Sequence, residues 1–424
     1  MWSMKFRIPR GTNDILPENI PVWHRIEATS RDLFELYGFN EIRTPIFEHT
    51  ELFERGIGGD TDIIQKEMYT FEDKGGRSLT LRPEGTASVV RAYVENKLSS
   101  KQHTSKLYYI GPMFRYERPQ SGRFRQFHQI GLEHIGAPHP SADAEAIALG
   151  YRLFKKLGLK NIRVLINSIG DDISRPVIEE RIKQFLAVNL KHLSTEMQHK
   201  FEKKPLRILD SKDDKVQLYL SGMPSLIDSL SQQSKDHFNS VLDYLNELNI
   251  PYQVTPTLVR GLEYYNETVF EIISNDLDGA KNTLCGGGRY NGLVREFNGH
   301  DTPAVGLAFG LERAVMLLQK NGTSISKSKP KFYVAPIGFV QKSGCFRLID
   351  SLRNRGIKCD FDYSKDTLKA HLKVANRLHA THTIIYGEEE AQKKIAIVRD
   401  MSSGDQQTIA ISRLPNYLMK LCLL

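Results

Sequence analysis

Apolar positions recur at helical spacing in Pro21–Tyr37, where Trp23, Ile26, Leu33 and Tyr37 share a face. Proline opens that segment and Gly38 closes it, the start and stop signals of an amphipathic helix. Phe39–Phe47 follows as a strand, and Pro45 within it predicts an edge or a bulge. Glu51–Asp62 contains Gly56, Gly58 and Gly59 and is expected to be a loop. Met68–Glu72 and Ser78–Arg82 read as paired strands around the turn Asp73–Gly76. Thr86–Lys97 is expected to be a helix, Lys106–Glu133 to be dominated by strands, and Ala142–Leu157 to be helical again.

The pattern changes after the apolar strand Asn161–Asn167. From Asp171 to about Leu248 the chain is polar and helix-rich, with tracts such as Ser229–Asp236, and strand character returns at Tyr252–Val259. A helical block between sheet-forming segments reads as an insertion into one α+β domain. Asn321–Pro330 has the composition of a linker. Beyond it strand and helix alternate through Lys331–Ile337, Lys342–Arg355, Lys358–Tyr363, Leu368–Leu378, Thr381–Tyr386 and Lys393–Arg399, with a last helix from Pro415. The expected organisation is therefore an α+β domain over 1–322 built on an antiparallel sheet, with a helical insertion over 171–248. A linker over 323–330 then leads to a small α/β domain over 331–424.

Composition narrows the function classes. At 424 residues the chain is too long for one core, and its 40% hydrophobic and 25% charged content is that of an ordinary globular protein. No apolar run is long enough for a membrane helix. Met1–Pro9 lacks an apolar signal core, and the four scattered cysteines form no C-x-x-C pair, so a cytoplasmic location is expected, with neither a disulfide framework nor a zinc site. The net charge of +8 is uneven: Lys331–Leu424 carries fifteen Lys/Arg against nine Asp/Glu. A basic terminal domain points to a polyanionic partner, nucleic acid before membrane, although a basic surface that serves only solubility has the same composition.

Candidate chemistry concentrates in five segments. Met113–His128 packs four arginines and three phenylalanines around the turn Pro119–Gly122. Guanidinium forks at Arg115, Arg123 and Arg125 can grip a polyphosphate and the aromatics can stack on a base, although a solvated, charge-rich hairpin has the same composition. Leu81–Thr86 is a strand end and helix start, where Thr86 can cap the helix and Glu84 is placed either to hold an ammonium group or to serve the helix dipole. Leu258–Glu271 carries Arg260 before a glycine, and Tyr264 and Tyr265, which in an extended segment would face opposite ways. Cys285–Leu293 has three consecutive glycines, so the backbone turns or approaches something closely. It is no P-loop, so a nucleotide would have to be held by side chains. In Ala304–Leu318 a small-residue strand ends at Gly310, and Arg313 sits in the first turn of a helix, a position that favours a nearby anion or a salt bridge.

Together these segments resemble the class II aminoacyl-tRNA synthetases, and among them the histidyl-tRNA synthetase family. The helix and Pro45 strand resemble the first class motif, the dimer interface of relatives. Phe114–Glu133 resembles the second and Gly306–Arg313 the third, while Leu258–Tyr265 and Gly286–Tyr290 resemble the two histidine-specific signatures. The resemblance covers the whole chain and implies an ATP-dependent ligase that joins L-histidine to its tRNA, homodimeric, with Mg2+ accompanying ATP and no metal held by protein side chains alone. It implies that Glu84, Gly85, Thr86 and Gln129 hold the α-amine of histidine, and that Glu133 and Tyr265 read the imidazole, with Tyr264 lining the pocket. It places Arg115 on the α-phosphate, Arg123 and Arg313 on the outer phosphates, Glu117 at the ATP site and Phe127 on adenine. Arg260 then stands as the cation beside the α-phosphorus. Relatives are expected to carry aspartate at the positions of Glu263 and Asn291. The competing reading is a catalytically silent regulatory paralogue of ATP phosphoribosyltransferase. Such relatives lack the C-terminal domain and active-site arginines, both present here.

Overall fold

The computed structural model describes residues 6–59, 61–120, 122–211, 213–276, 282–322, 332–338 and 342–422, without the side chains of 196, 199 and 200. The linker expected over 323–330 lies outside the described residues. The chain forms two compact units, Met1–Thr323 and Ser324–Leu424.

Unit one is built on a sheet of eight strands among the described residues. Their order is Asn40–Glu41, Ser105–Phe114, Gln126–Ile135, Ala304–Gly310, Thr283–Arg289, Asn266–Ser274, Ile162–Ser168 and Tyr252–Val254. The edge pairs are parallel and the interior pairs antiparallel. Side chains alternate between faces, and here the alternation separates stability from function. On one face Tyr108, Ile130, Leu132, Leu307, Phe309, Phe270 and Ile272 join the main core. Helices Ile20–Leu36, Ser141–Lys156, Gln232–Glu247 and Leu311–Lys320 contribute to that core. On the other face the register sets Gly111 beside Gln129, Tyr109 beside Gly131, and Glu133 beside Gly306, which in turn sits beside Gly288. Small residues at Gly131, Gly306, Ala308, Gly286 and Gly288 lower that face into a floor. Tyr109, Met113, Tyr265 and Tyr290 form its apolar rim together with the helix Thr86–Glu95.

Local structure differs from expectation in three places. Glu51–Asp62 is mostly helix, over Thr50–Ile57, because Phe53 and Ile57 bury into a small core with Ile63 and Ala87 and this packing outweighs the glycines. Strand pairing after Tyr252 ends at Val254, where Thr255 and Pro256 begin a turn. The helical block divides: Ile178 to Leu230 has its own core, while Phe238, Val241 and Leu245 of Gln232–Glu247 pack into the main one.

Pro45 falls between the short strands Asn40–Glu41 and Phe47–His49, and the latter pairs in a separate sheet with Ser78–Leu81 and Tyr69–Glu72. Unit two has a five-stranded sheet in the order Cys359–Asp360, Phe332–Pro336, His382–Tyr386, Ile395–Asp400 and Gln406–Ala410. The first three strands are mutually parallel, Ile395–Asp400 runs antiparallel to them, and Gln406–Ala410 pairs antiparallel with it. Helices Lys342–Asn354, Leu368–Arg377 and Leu414–Leu421 complete this α/β unit.

Candidate active site

On the glycine floor stands the Glu133 carboxylate, 1% exposed. Thr86 Oγ1 donates to its Oε1 at 2.8 Å and the Tyr290 hydroxyl donates to its Oε2. No cation pairs with it among the described residues, and burial pushes its carboxyl up to about 8, with the nearby charge of Glu84 adding to the shift. Gly306 must be glycine because a Cβ there would collide with the Glu133 carboxylate.

Glu84 lies beside it, 3% exposed. Its carboxylate accepts from the backbone N–H groups of Thr86 and Ala87 at 2.7 and 2.8 Å. The helix start is therefore capped by Glu84, not by Thr86, whose hydroxyl is turned to Glu133. Burial raises the Glu84 carboxyl against those hydrogen bonds. Gly85 leaves room for the Tyr109 ring. Gln129 projects from the same strand as Glu133, and its Oε1 is buried without a hydrogen-bond partner among the described residues.

Tyr264 and Tyr265 do not face opposite ways. The chain from Gly261 to Tyr264 bends and turns instead of extending, and the two rings pack with centroids 4.6 Å apart. Tyr290 lies 5.6 Å from Tyr264, edge to face. Burial raises all three phenols, Tyr265 to about 12. These rings stand beside the buried side chains of Glu84, Thr86 and Glu133 and form with them a polar cluster with an aromatic wall.

A second, strongly basic cleft adjoins the hairpin. A cavity of about 250 Å³ is lined by Arg115, Glu117, Arg123, Phe127, Gln129, Arg260 and Arg313 among others. Arg115 Nε donates to the Pro83 carbonyl at 2.8 Å, and its guanidinium lies 5.4 Å from the Phe127 ring centroid. Glu117 stands between Arg115 and Arg123, at 3.8 and 3.6 Å. Arg313 donates to the Thr283 carbonyl at 2.7 Å and to Gly122 at the hairpin tip at 3.4 Å, so neither a salt bridge nor an anion is needed to fix it. Arg125, by contrast, lies over Tyr116 at 3.7 Å.

Arg260 borders both regions. Its guanidinium pairs with Glu271, whose other oxygen accepts from Thr283 Oγ1 at 2.8 Å. Burial opposes the Arg260 charge, and its surroundings, Glu271 foremost and then Tyr265, Cys285 and Tyr264, together more than offset it. A Cβ on Gly286 would fall on this guanidinium.

Sequence reasoning placed Glu84, Gly85, Thr86, Arg115, Glu117, Arg123, Phe127, Gln129, Glu133, Arg260, Tyr264, Tyr265 and Arg313, and the fold gathers them around these two adjoining regions. It missed the supporting groups. Glu271 holds Arg260; Tyr290 holds Glu133; Glu312 accepts from the His128 N–H at 2.9 Å and fixes the returning hairpin strand. The fully buried Asp143 accepts from Arg289, whose Nη1 also donates to Asn291 Oδ1 at 3.4 Å. The alternation Val305, Leu307, Phe309 against Gly306, Ala308, Gly310 was the available signal for a bared sheet face.

Comparison with known proteins agrees in extent as well as in kind. A family model described as histidyl-tRNA synthetase matches residues 11–314, and one described as an anticodon binding domain matches 331–421. The chain is similar to histidine–tRNA ligase 1 of Shouchella clausii, with 48% identity over 98% of this chain and 99% of that one. It is similar to histidine–tRNA ligase of Listeria monocytogenes, with 49% identity over 96% of each. Its fold matches ligand-free histidyl-tRNA synthetase of S. aureus with a TM-score of 0.82 and 38% identity, covering 97% of this chain and 99% of that structure. Near-complete coverage of such relatives, on a fold whose sheet bares one face for the two adjoining regions, leads to one conclusion: the chain belongs to the histidyl-tRNA synthetase family.

Proposed function

We infer that this protein is a histidine–tRNA ligase, activating L-histidine with ATP and transferring it to tRNA(His). The observation that carries this reading is the position of Arg260, which lines the basic cleft and also a cavity shared with Tyr265. A reaction between an amino acid and a triphosphate needs its cation at that junction.

In this reading Glu84, Thr86 and Gln129 take the α-amine, with Gly85 between the first two letting the Tyr109 ring pack close beneath them. The unpartnered Oε1 of Gln129 is an acceptor awaiting a donor, and an ammonium supplies one. Glu133 and Tyr265 read the imidazole, and Tyr264 closes the wall. A pocket that must satisfy its own buried polar groups rejects analogues by about 10⁴ or more. Phe127 stacks on adenine, Arg115 binds the α-phosphate, and Arg123 and Arg313 hold the outer phosphates, with Glu117 at the ATP site between Arg115 and Arg123. The histidine carboxylate oxygen attacks the α-phosphorus, the bond to the bridging oxygen breaks, and pyrophosphate leaves. Arg115 and Arg260, fixed in advance by Pro83 and Glu271, stabilise charge on the non-bridging oxygens. The terminal ribose hydroxyl of the tRNA then attacks the adenylate carbonyl and AMP leaves.

Mg2+ would arrive with ATP. Among the described residues no group of three or more His, Cys, Asp or Glu side chains converges to hold a metal ion, so the phosphates themselves would be its main ligands. The basic C-terminal unit supports tRNA binding, in keeping with the family model it matches. Exposed Ile46, Phe47 and Phe71 on and beside the small sheet support a homodimer. No helix among the described residues is long and apolar enough to cross a membrane, and we infer a cytoplasmic enzyme. The arginines of both regions and the presence of unit two weigh against a silent regulatory paralogue.

An ATP–pyrophosphate exchange assay with each of the twenty amino acids tests the reading. Exchange dependent on histidine alone is expected; exchange with another amino acid, or with none, overturns it.

A further inference from the structure

The segment that carries Arg260 and Tyr265 is not held by the sheet alone. Between them stands Glu263, its side chain 22% exposed. The helical insertion sends two cations to it: Lys204 pairs with one carboxylate oxygen, and Arg207 Nη2 lies 3.1 Å from the other. Arg207 also donates to the Gly261 carbonyl at 3.3 Å. These cations are rigidly mounted, because Leu206, Ile208 and Leu209 around them belong to the insertion's own core, and Val259 packs against that same core. On the other side the Glu263 N–H donates to the Ile57 carbonyl at 3.2 Å. Gly58, in the left-handed region at φ +98°, leaves the space its carboxylate fills.

We propose that Glu263 is a positioning residue through which the helical insertion sets the geometry of Arg260 and Tyr265. This rests on the reading of those two as site residues given above. The physical argument concerns precision. Exposed single ion pairs contribute little to stability, but a carboxylate shared by two cations on a packed scaffold restricts where its backbone can go. The backbone restricted here is the turn Gly261–Tyr264, with a reactive cation at one end and the imidazole reader at the other. Small misplacements of such groups cost catalysis far more than they cost folding. The insertion thus becomes part of the catalytic apparatus through its hold on this turn.

Two substitutions from opposite sides test this, Glu263→Gln and the pair Lys204→Ala with Arg207→Ala. Hydrogen–deuterium exchange of peptides spanning 258–265 should accelerate in both, with peptides from the sheet and from the insertion core unchanged. In pyrophosphate exchange both should lose between about ten- and a hundredfold in kcat and raise KM for histidine, with unchanged melting temperatures. Glu263→Asp, which keeps the charge, should recover most of the loss. Unaltered exchange at 258–265 in both variants overturns the proposal, as does a loss of activity that only tracks a lowered melting temperature. Because deuterium uptake needs no substrate, it judges this proposal even if the unsubstituted protein shows no histidine-dependent exchange, an outcome that would sink the functional reading instead.

Discussion

Tyr290 donates its hydroxyl hydrogen bond to Glu133 across 157 residues of sequence, and with Thr86 it gives this buried carboxylate hydroxyl partners but, among the described residues, no cation. Its pH dependence has a definite sign. The carboxyl would titrate near 4.5 in an unfolded chain, whereas burial holds its proton to about 8 in the fold. Between those values the folded state binds more protons, so its stability should fall as pH rises and level off above the window. Glu133→Gln has no proton to lose. Melting temperatures of the ligand-free proteins from about pH 5 to about pH 9 should therefore fall more steeply for the unsubstituted chain than for the variant. Parallel curves would show that Glu133 is ionised at neutral pH.

Arg260→Ala should lower kcat for pyrophosphate exchange by about 10²–10³, the usual cost of removing one preorganised donor from a transition state. Histidine binding, measured by calorimetry without ATP, should persist, because Glu84 and Thr86, proposed above to take the α-amine, hold their places through their own hydrogen bonds and not through Arg260. Glu271→Gln gives a smaller loss in kcat, since it keeps an amide oxygen near Arg260 but gives up the charge that fixes it. Exchange near the unsubstituted rate in Arg260→Ala would remove this residue from the reaction.

How much of this was legible beforehand follows the range of each interaction. The arginine hairpin, the Glu84 turn and the triple glycine were visible because each compresses unusual chemistry into a few adjacent residues. Roles that depend on distant partners were not. Whether Thr86 caps its helix or serves Glu133 depends on a strand that lies 47 residues away. The packing of Tyr264 on Tyr265 depends on a turn that the period-two rule does not foresee. The helix Thr50–Ile57 was obscured by its own Gly56, which is small because the Phe297 ring would collide with a Cβ there. Composition recorded the small residue, and only packing gave its reason.

Asn291 departs from the aspartate expected in relatives, and its surroundings show what that departure leaves intact. Its carbonyl oxygen accepts from Arg289 Nη1 at 3.4 Å and from the Ala304 N–H at 3.3 Å. Both bonds need an acceptor and not a charge. The charge of Arg289 is already met by Asp143, whose carboxyl Arg289, with help from His237, holds below its ordinary value despite complete burial. Asn291→Asp should thus leave exchange kinetics within about twofold, because it keeps both acceptors. Asp143→Asn, by contrast, strips a buried guanidinium of its partner and should cost about 3–5 kcal/mol in denaturant unfolding. A large kinetic effect of Asn291→Asp would mean that charge at this position acts on the pocket.

Gly286 and Gly287 are neighbours with different reasons to be glycine, and substitution should separate them. A Cβ on Gly286 meets the guanidinium of Arg260, the far end of a long side chain on the bared face. Gly286→Ala should therefore fold normally and lose exchange activity, since displacing Arg260 by even an ångström or so can cost about a hundredfold. A Cβ on Gly287 points to the packed face, where the Gly306 carbonyl, the Phe270 ring and Leu307 Cα stand in its way. None of these can yield without moving the sheet, and overpacking of this kind costs about 1–3 kcal/mol or more. Gly287→Ala should lower the melting temperature, with activity per folded molecule largely kept. Melting curves and active-site titration on the two variants distinguish the cases. If both lose stability alike, the floor beneath Arg260 is packing and not room for function.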